Sequence, residues 1–381
     1  MREEQAMSFM ARAKAAGRAA LWRRLLALCL AAMLLFLLCG CSGNGKGRTK
    51  ILEPAASSGA DFSVVGVSQP ASEKEGAPLR YVGLYGQGMV AVWGRENAKR
   101  IVLVGKSGYL KPYSEELPIL TDSVVCRGDH VLFQAKNGEE RADIFLINLK
   151  DESVRKIGSY LLADLLVPLG WQDGDISFVV RGVSGAVLNR YHVQDHTLER
   201  LSDGGVLNER LPEDLKSAAV SRLFFAEGYL VCQMEIGAES QIVVVDARDP
   251  AHGSLLSTHG SSAAAAAGKV YYIAENGALM SWDVQADKKI ELMEMVSQFA
   301  VSEDGSKLAV VEKSAAAYKL YVLDARSGQK LYVDIYQSIN RVFFNADASG
   351  LLIESLQVDQ AHPQGGYGGV YAYYELGGQT N

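Results

Sequence analysis

The sequence predicts an all-β fold, a β-propeller of about seven four-stranded blades, with six as the alternative count. Three observations carry this. From residue 80 onward, short β-branched runs are punctuated by Asp-Gly and Ser-Gly turns. The runs come in fours, most plainly Gln298–Val301, Lys307–Val311, Lys319–Asp324 and Lys330–Val333. The ends of successive third strands fall at Val104, Asn148, His192, Asp246, Asp283, Asp324 and Tyr373, between 37 and 54 residues apart. A period of about 40–45 residues with four strands per unit marks a propeller blade. A sandwich would not hold such a register.

Residues 1–40 read as a signal peptide. Arg23 and Arg24 precede Leu25–Cys39, which is 15 residues without a charge. A membrane-spanning helix needs about 20 apolar residues, whereas a secretory apolar core needs about 7–15. The tetrapeptide Leu38-Cys39-Gly40-Cys41 ends the run. It resembles the lipobox of bacterial lipoproteins. That resemblance implies cleavage between Gly40 and Cys41, a lipid on Cys41, and a domain held outside the cytoplasm at the cell membrane. An uncleaved anchor is the alternative, and it leaves the domain on the same side.

Residues 41–79 are rich in Gly, Ser, Ala, Pro and Lys and predict a flexible tether. Within them Phe62–Val67 has strand character. Residues 80–376 are the expected propeller, and 377–381 a short tail. An open ring would expose strand edges, so Phe62–Val67 is expected to close it by pairing with the last blade near Val370–Tyr374. Ala263–Ala267 falls where an inner strand belongs, and either widens the channel there or interrupts the blade.

Beyond residue 40 the chain holds 32 Lys/Arg and 42 Asp/Glu, a net charge of −10. An acidic domain without a basic patch gains nothing from a phosphate backbone, which argues against nucleic acid as a partner. Only Cys126 and Cys232 follow Cys41. Both stand in apolar runs and read as small core residues, a disulfide between them being the sharper alternative.

Ser302-Glu303-Asp304-Gly305-Ser306-Lys307 and Leu320-Tyr321-Val322-Leu323-Asp324-Ala325 resemble the WD40-like, TolB-type propeller repeats of bacterial exported proteins. The resemblance is good over 298–333 and partial over 220–256 and 268–293. Glu303 stands where that family often has proline. Asp324–Gly328 followed by Tyr332 is similar to the turn of quinoprotein blades, which place Trp at the position of Tyr332. No cofactor is implied by one such copy.

The recurrent acids Asp246, Asp283 and Asp324, with Asn148 in the same frame, have a sufficient role in accepting backbone N–H bonds from the following turn. Equivalent positions on different blades do not converge as a catalytic or metal site requires. His192 and His196 lack the shared helical face of a metal motif, and read as surface or turn residues. No nucleophile elbow, phosphate loop or cysteine–metal spacing occurs, so no catalytic or metal residue is assigned. Gly83, Gly86 and Gly88 read as a turn.

Two intervals exceed the repeat. Ser202–Ala219 carries Glu209, Glu213 and Asp214, and Leu356–Gly369 carries Asp359, His362 and Tyr367. Loops that lengthen single blades build an asymmetric rim, and these six residues are the candidate binding positions. Tyr367, Tyr371, Tyr373 and Tyr374 are expected to pack in the sheet. The expected function is a membrane-tethered binding module for an envelope protein or envelope ligand. An enzymatic or cofactor-binding propeller, hydrolytic or quinone-linked, is the alternative.

Overall fold

The computed structural model describes residues 62–161, 166–172, 175–182, 185–202, 219–226, 228–236, 239–246, 255–315, 317–358 and 367–378. These residues form seven antiparallel sheets. The first strand, β1 (Phe62–Ser68), belongs to the last of them. After the short β2 (Glu73–Lys74), blade I runs β3 (Ala77–Tyr85), β4 (Gly88–Arg95), β5 (Ala98–Val104) and β6 (Leu110–Pro112). Blade II runs β7 (Val125–Arg127), β8 (His130–Asn137), β9 (Arg141–Asn148) and β10 (Ser153–Leu161). Blade III has β11 (Leu166–Gln172), β12 (Asp175–Gly182), β13 (Gly185–His192) and β14 (Thr197–Ser202). Blade IV has β15 (Ala219–Ala226), β16 (Tyr229–Ile236), β17 (Glu239–Asp246) and β18 (Leu255–His259). Blade V has β19 (Ser261–Ala266), β20 (Lys269–Ile273), β21 (Leu279–Asp283) and β22 (Lys288–Met293). Blade VI has β23 (Val296–Val301), β24 (Lys307–Lys313), β25 (Tyr318–Asp324) and β26 (Lys330–Tyr336). Blade VII has β27 (Arg341–Phe344), β28 (Gly350–Val358) and β29 (Tyr367–Gly378), with β1 as its fourth strand.

The repeat frame read from the sequence matches the strand ends. β5, β9, β13, β17, β21 and β25 stop at the six residues expected, from Val104 to Asp324. In blade VII the frame residue is Glu375, since Gly350 pairs with it as Lys307 pairs with Asp324. The expected Tyr373 stands two residues earlier because β29 runs on to carry β1. Phe62 pairs with Gly378 and Ser68 with Tyr373. The closure is thus the one expected, moved toward the end of β29. β1, β2 and the start of β3 take up residues 62–79, which composition had assigned to the tether. Their apolar positions, including buried Phe62 and Leu79, outweigh the surrounding polar composition.

Both faces of each sheet are covered by neighbouring blades, so the second and third strands read as apolar runs instead of alternating. Val131 and Phe133 pack toward blade I, whereas Leu132 packs toward blade III. Tyr272 and Trp282 face blade IV, whereas Tyr271 and Leu279 face blade VI. Phe62, Leu351 and Tyr374 of blade VII meet Ala309, Val322 and Leu331 of blade VI. The alanine run is a paired inner strand, with Ala264 opposite Tyr271 and Ala266 opposite Lys269. A register shift follows Ser261, and the N–H of Ala263 is satisfied by Gln233 Oε1 at 3.1 Å. Cys126 and Cys232 are free thiols, not a disulfide.

Connections of a few residues join β18 to β19, β22 to β23 and β26 to β27. Each fourth strand therefore ends on the face where the next inner strand begins. Second strands end and third strands begin on that same face, by antiparallel alternation. We call it the crossover face. First-to-second and third-to-fourth turns occupy the far face.

Candidate functional site

The strand ends that flank both candidate binding segments lie on the crossover face. Residues 203–218 join β14 to β15, a blade-to-blade crossover, and 359–366 join β28 to β29. Glu209, Glu213, Asp214, Asp359 and His362 lie outside the described residues, as do Gly40 and Cys41. Tyr367 is a strand residue, not a loop residue: it opens β29 opposite Val358, because the hairpin ladder reaches further than the glycine-rich composition suggested.

Three carboxylates are buried among the described residues: Asp143 and Asp334 lie toward the crossover ends of their strands, and Glu354 lies at the middle of β28, opposite Arg341 at the crossover start of β27. Glu354, 5% exposed, is the most connected. Its Oε2 accepts from Arg341 Nε at 2.5 Å and Asn340 Nδ2 at 2.8 Å, and its Oε1 from the Tyr371 hydroxyl at 3.0 Å. Burial works to raise its pKa, but the bonds and charge of Arg341, with those of Asn340 and Tyr371, outweigh it and hold the carboxyl below its ordinary value. Tyr371 stands edge-on to Tyr81 with centroids 4.6 Å apart, which ties the cluster to blade I. Asp334 accepts from the Tyr374 hydroxyl at 2.6 Å, and Tyr336 bonds Tyr374 in turn. Burial drives the Tyr374 hydroxyl pKa far up, so it remains a donor. Asp143 is held by Lys156 at 2.7 Å and Asn137 at 3.0 Å.

At one level on this face the inner strands of blades IV to VII carry polar residues, where blades I and III carry Leu79 and Val167. Arg341 pairs with Glu354, Gln298 with Val311, Ser261 with Ile273 and Arg222 with Gln233. Each pair lies four residues along the second strand from the partner of the frame residue. In blade II the same level holds Gln134, whose N–H meets Ser123 Oγ at 2.9 Å. The sequence reading missed these polar positions and the buried acids. The available signal was Glu354 itself, a lone charge directly after Leu351-Leu352-Ile353.

Three of the recurrent frame residues, Asn148, Asp283 and Asp324, serve their turns. Asn148 Oδ1 accepts from Lys150 N at 2.9 Å, and Asp283 Oδ1 from Ala286 N at 3.0 Å. Asp324 Oδ1 accepts from Arg326 N at 3.0 Å and Ser327 N at 2.6 Å.

The far face differs. Glu303, in the first turn of blade VI, reaches blade II, since a Cβ on Gly128 would lie 3.3 Å from both its carboxylate oxygens. Blades II and VI are not neighbours, so this contact crosses the channel and narrows it there. Burial lowers the Arg127 pKa and the Glu303 charge opposes that shift. His192, at the end of β13, is gripped by Asp175 at Nδ1 (2.8 Å) and by Glu199 at Nε2 (3.2 Å). The two carboxylates sit on different ring nitrogens and do not converge on one point.

No family model matches the chain, and no curated protein matches it. Solved structures do. An oligogalacturonate lyase from Vibrio parahaemolyticus is 10% identical over 82% of this chain and 98% of its own, with a TM-score of 0.52. A prolyl endopeptidase structure is 11% identical over 80% of this chain, with a TM-score of 0.51, and this chain spans 50% of its length. TolB from Acinetobacter baumannii is 12% identical over 79% of this chain and 80% of its own, with a TM-score of 0.43. At these identities the likeness is one of fold, and the protein is a seven-bladed β-propeller.

Proposed function

We propose that the protein is an exported lipoprotein whose propeller binds an envelope protein or envelope ligand through its crossover face. The observation that carries the reading is strand direction: β14 and β28 end, and β15 and β29 begin, on that one face. Polar inner-strand residues of blades IV to VII and the buried Asp143 and Asp334 lie toward the same side, while Glu303 narrows the channel on the other. Asp283 and Asp324 are spent on turns, so their recurrence calls for no catalytic account. Export rests on the lipobox-like tetrapeptide and its short apolar run.

Two experiments test this. Removing residues 204–216, or 359–366, should abolish capture of a partner from intact cells while the thermal unfolding profile is kept. Undiminished capture by both deletions refutes the face assignment, and turnover of an envelope substrate lost on replacing a channel carboxylate refutes the binding role itself. Cys41→Ala should leave an unprocessed precursor or release the domain in soluble form; a mature N-terminus elsewhere, without lipid, refutes the anchor.

A further inference from the structure

We propose that Arg341, clamped by Glu354, anchors a carboxylate group of the ligand at the crossover mouth of the channel. The inference rests on the reading of that face as the binding face. Arg341 is the first residue of the inner strand β27, and its side chain is 25% exposed. Its contact with Glu354 uses Nε and one carboxylate oxygen, not the two-pronged fork that an arginine–carboxylate pair usually adopts. Glu354 is shared as well, since Asn340 takes the second position on Oε2 and Tyr371 bonds Oε1. The guanidinium lies 5.3 Å from the Phe343 ring centre, a second constraint on its plane. The strand lip is fixed too: Asn340 N bonds Glu354 O at 2.8 Å, and Gln298 Nε2 bonds Asn340 O at 3.1 Å.

One arm of the guanidinium, Nη2, is left without a partner: it is out of solvent and meets no acceptor among the described residues. A charged donor in that state is costly, and the paired Nη groups match the spacing of a carboxylate. Gln298 and Ser261 stand at the same level as uncharged polar groups. A single negative charge fits better than a phosphate dianion. Glu354 lies directly beneath Arg341, and Asp122 holds the neighbouring inner-strand cation Arg80 at 2.8 Å. Both carboxylates oppose a second negative charge.

The test titrates the full chain with hexaglutamate, with hexaglutamine as the neutral control, and with trigalacturonate as a carboxylate from a sugar source. One of the two acids should bind, and which one identifies the source. Arg341→Gln should weaken that binding about tenfold or more, as loss of a charged hydrogen-bonded contact does. Arg341→Lys, which keeps the charge and loses the fork, should recover only part of it. If Arg341→Gln does not fold, the double variant Arg341→Gln/Glu354→Gln replaces the pair by neutral amides and should show the same loss. Equal binding of hexaglutamine, no binding of either acid, or wild-type affinity in the folded variant overturns the proposal. If the loop deletions abolish partner capture while Arg341→Gln leaves it whole, the binding face stands and the carboxylate anchor falls. If the acids bind through Arg341 but the deletions leave capture intact, the anchor stands and the face assignment falls.

Discussion

Replacing Phe62 by alanine should destabilise the whole propeller. Phe62 opens the closing strand β1 and is 5% exposed. Its ring packs in the core shared by blades VI and VII, and Lys307 Nζ stands 5.6 Å from its centre. Phe→Ala in a core that cannot collapse around the gap costs about 3–5 kcal/mol. The cation–ring contact adds about 0.5–1 kcal/mol at a site of this exposure. The loss falls on the closure of the ring, where β1 is joined to blade VII only through β29. Urea unfolding followed by tryptophan fluorescence reads the change. The control is Val65→Ala on the same strand, which is 63% exposed and should stay within about 0.5 kcal/mol of the wild type. A loss at Phe62 below about 1 kcal/mol, or one no larger than at Val65, would show that residues 62–68 are a tether laid on the ring and not its closing strand.

Three further outcomes follow from the polar contacts. Glu354 has a folded pKa below its unfolded value of about 4.5, so its contribution to stability is present above that pH and lost as pH falls through the folded pKa. Acid unfolding curves of the wild type should therefore be steeper below about pH 4.5 than those of Glu354→Gln. His192 has its pKa raised by the hydrogen bond to Glu199 first and by Asp175 as well, so that grip is full below about pH 6.5 and fades as pH rises through the folded pKa. Its imidazole proton resonance should titrate above the ordinary histidine range, and Glu199→Gln should bring it down; an unmoved midpoint contradicts the contact. Asp324→Ala removes the acceptor of two backbone N–H groups and should cost about 1–2 kcal/mol in thermal unfolding, with partner capture unchanged. Lost capture at full stability would instead give the frame acids a binding role.

The sequence by itself determined the propeller, the register of its blades and the use of its turn acids. These are local or repeated properties. Alternation, turn residues and a period near one blade are written along the chain, and they placed six third-strand ends from Val104 to Asp324. The closing strand was legible for the same reason, since Phe62–Val67 has strand composition wherever it sits. Its register was not, because pairing with Tyr373–Gly378 depends on how far β29 runs past its own blade. Only the tertiary structure decided that the strand ends flanking 203–218 and 359–366 share a face, since this follows from strand direction around a closed ring. Only it could join Arg341, Glu354 and Tyr371, or carry Glu303 across the channel to Gly128. Those contacts bind residues from separate strands and from blades far apart in the chain. A repeat announces each blade to its neighbour, but the side chains that meet at the mouth share one level of that repeat and differ in type from blade to blade, which no local pattern announces.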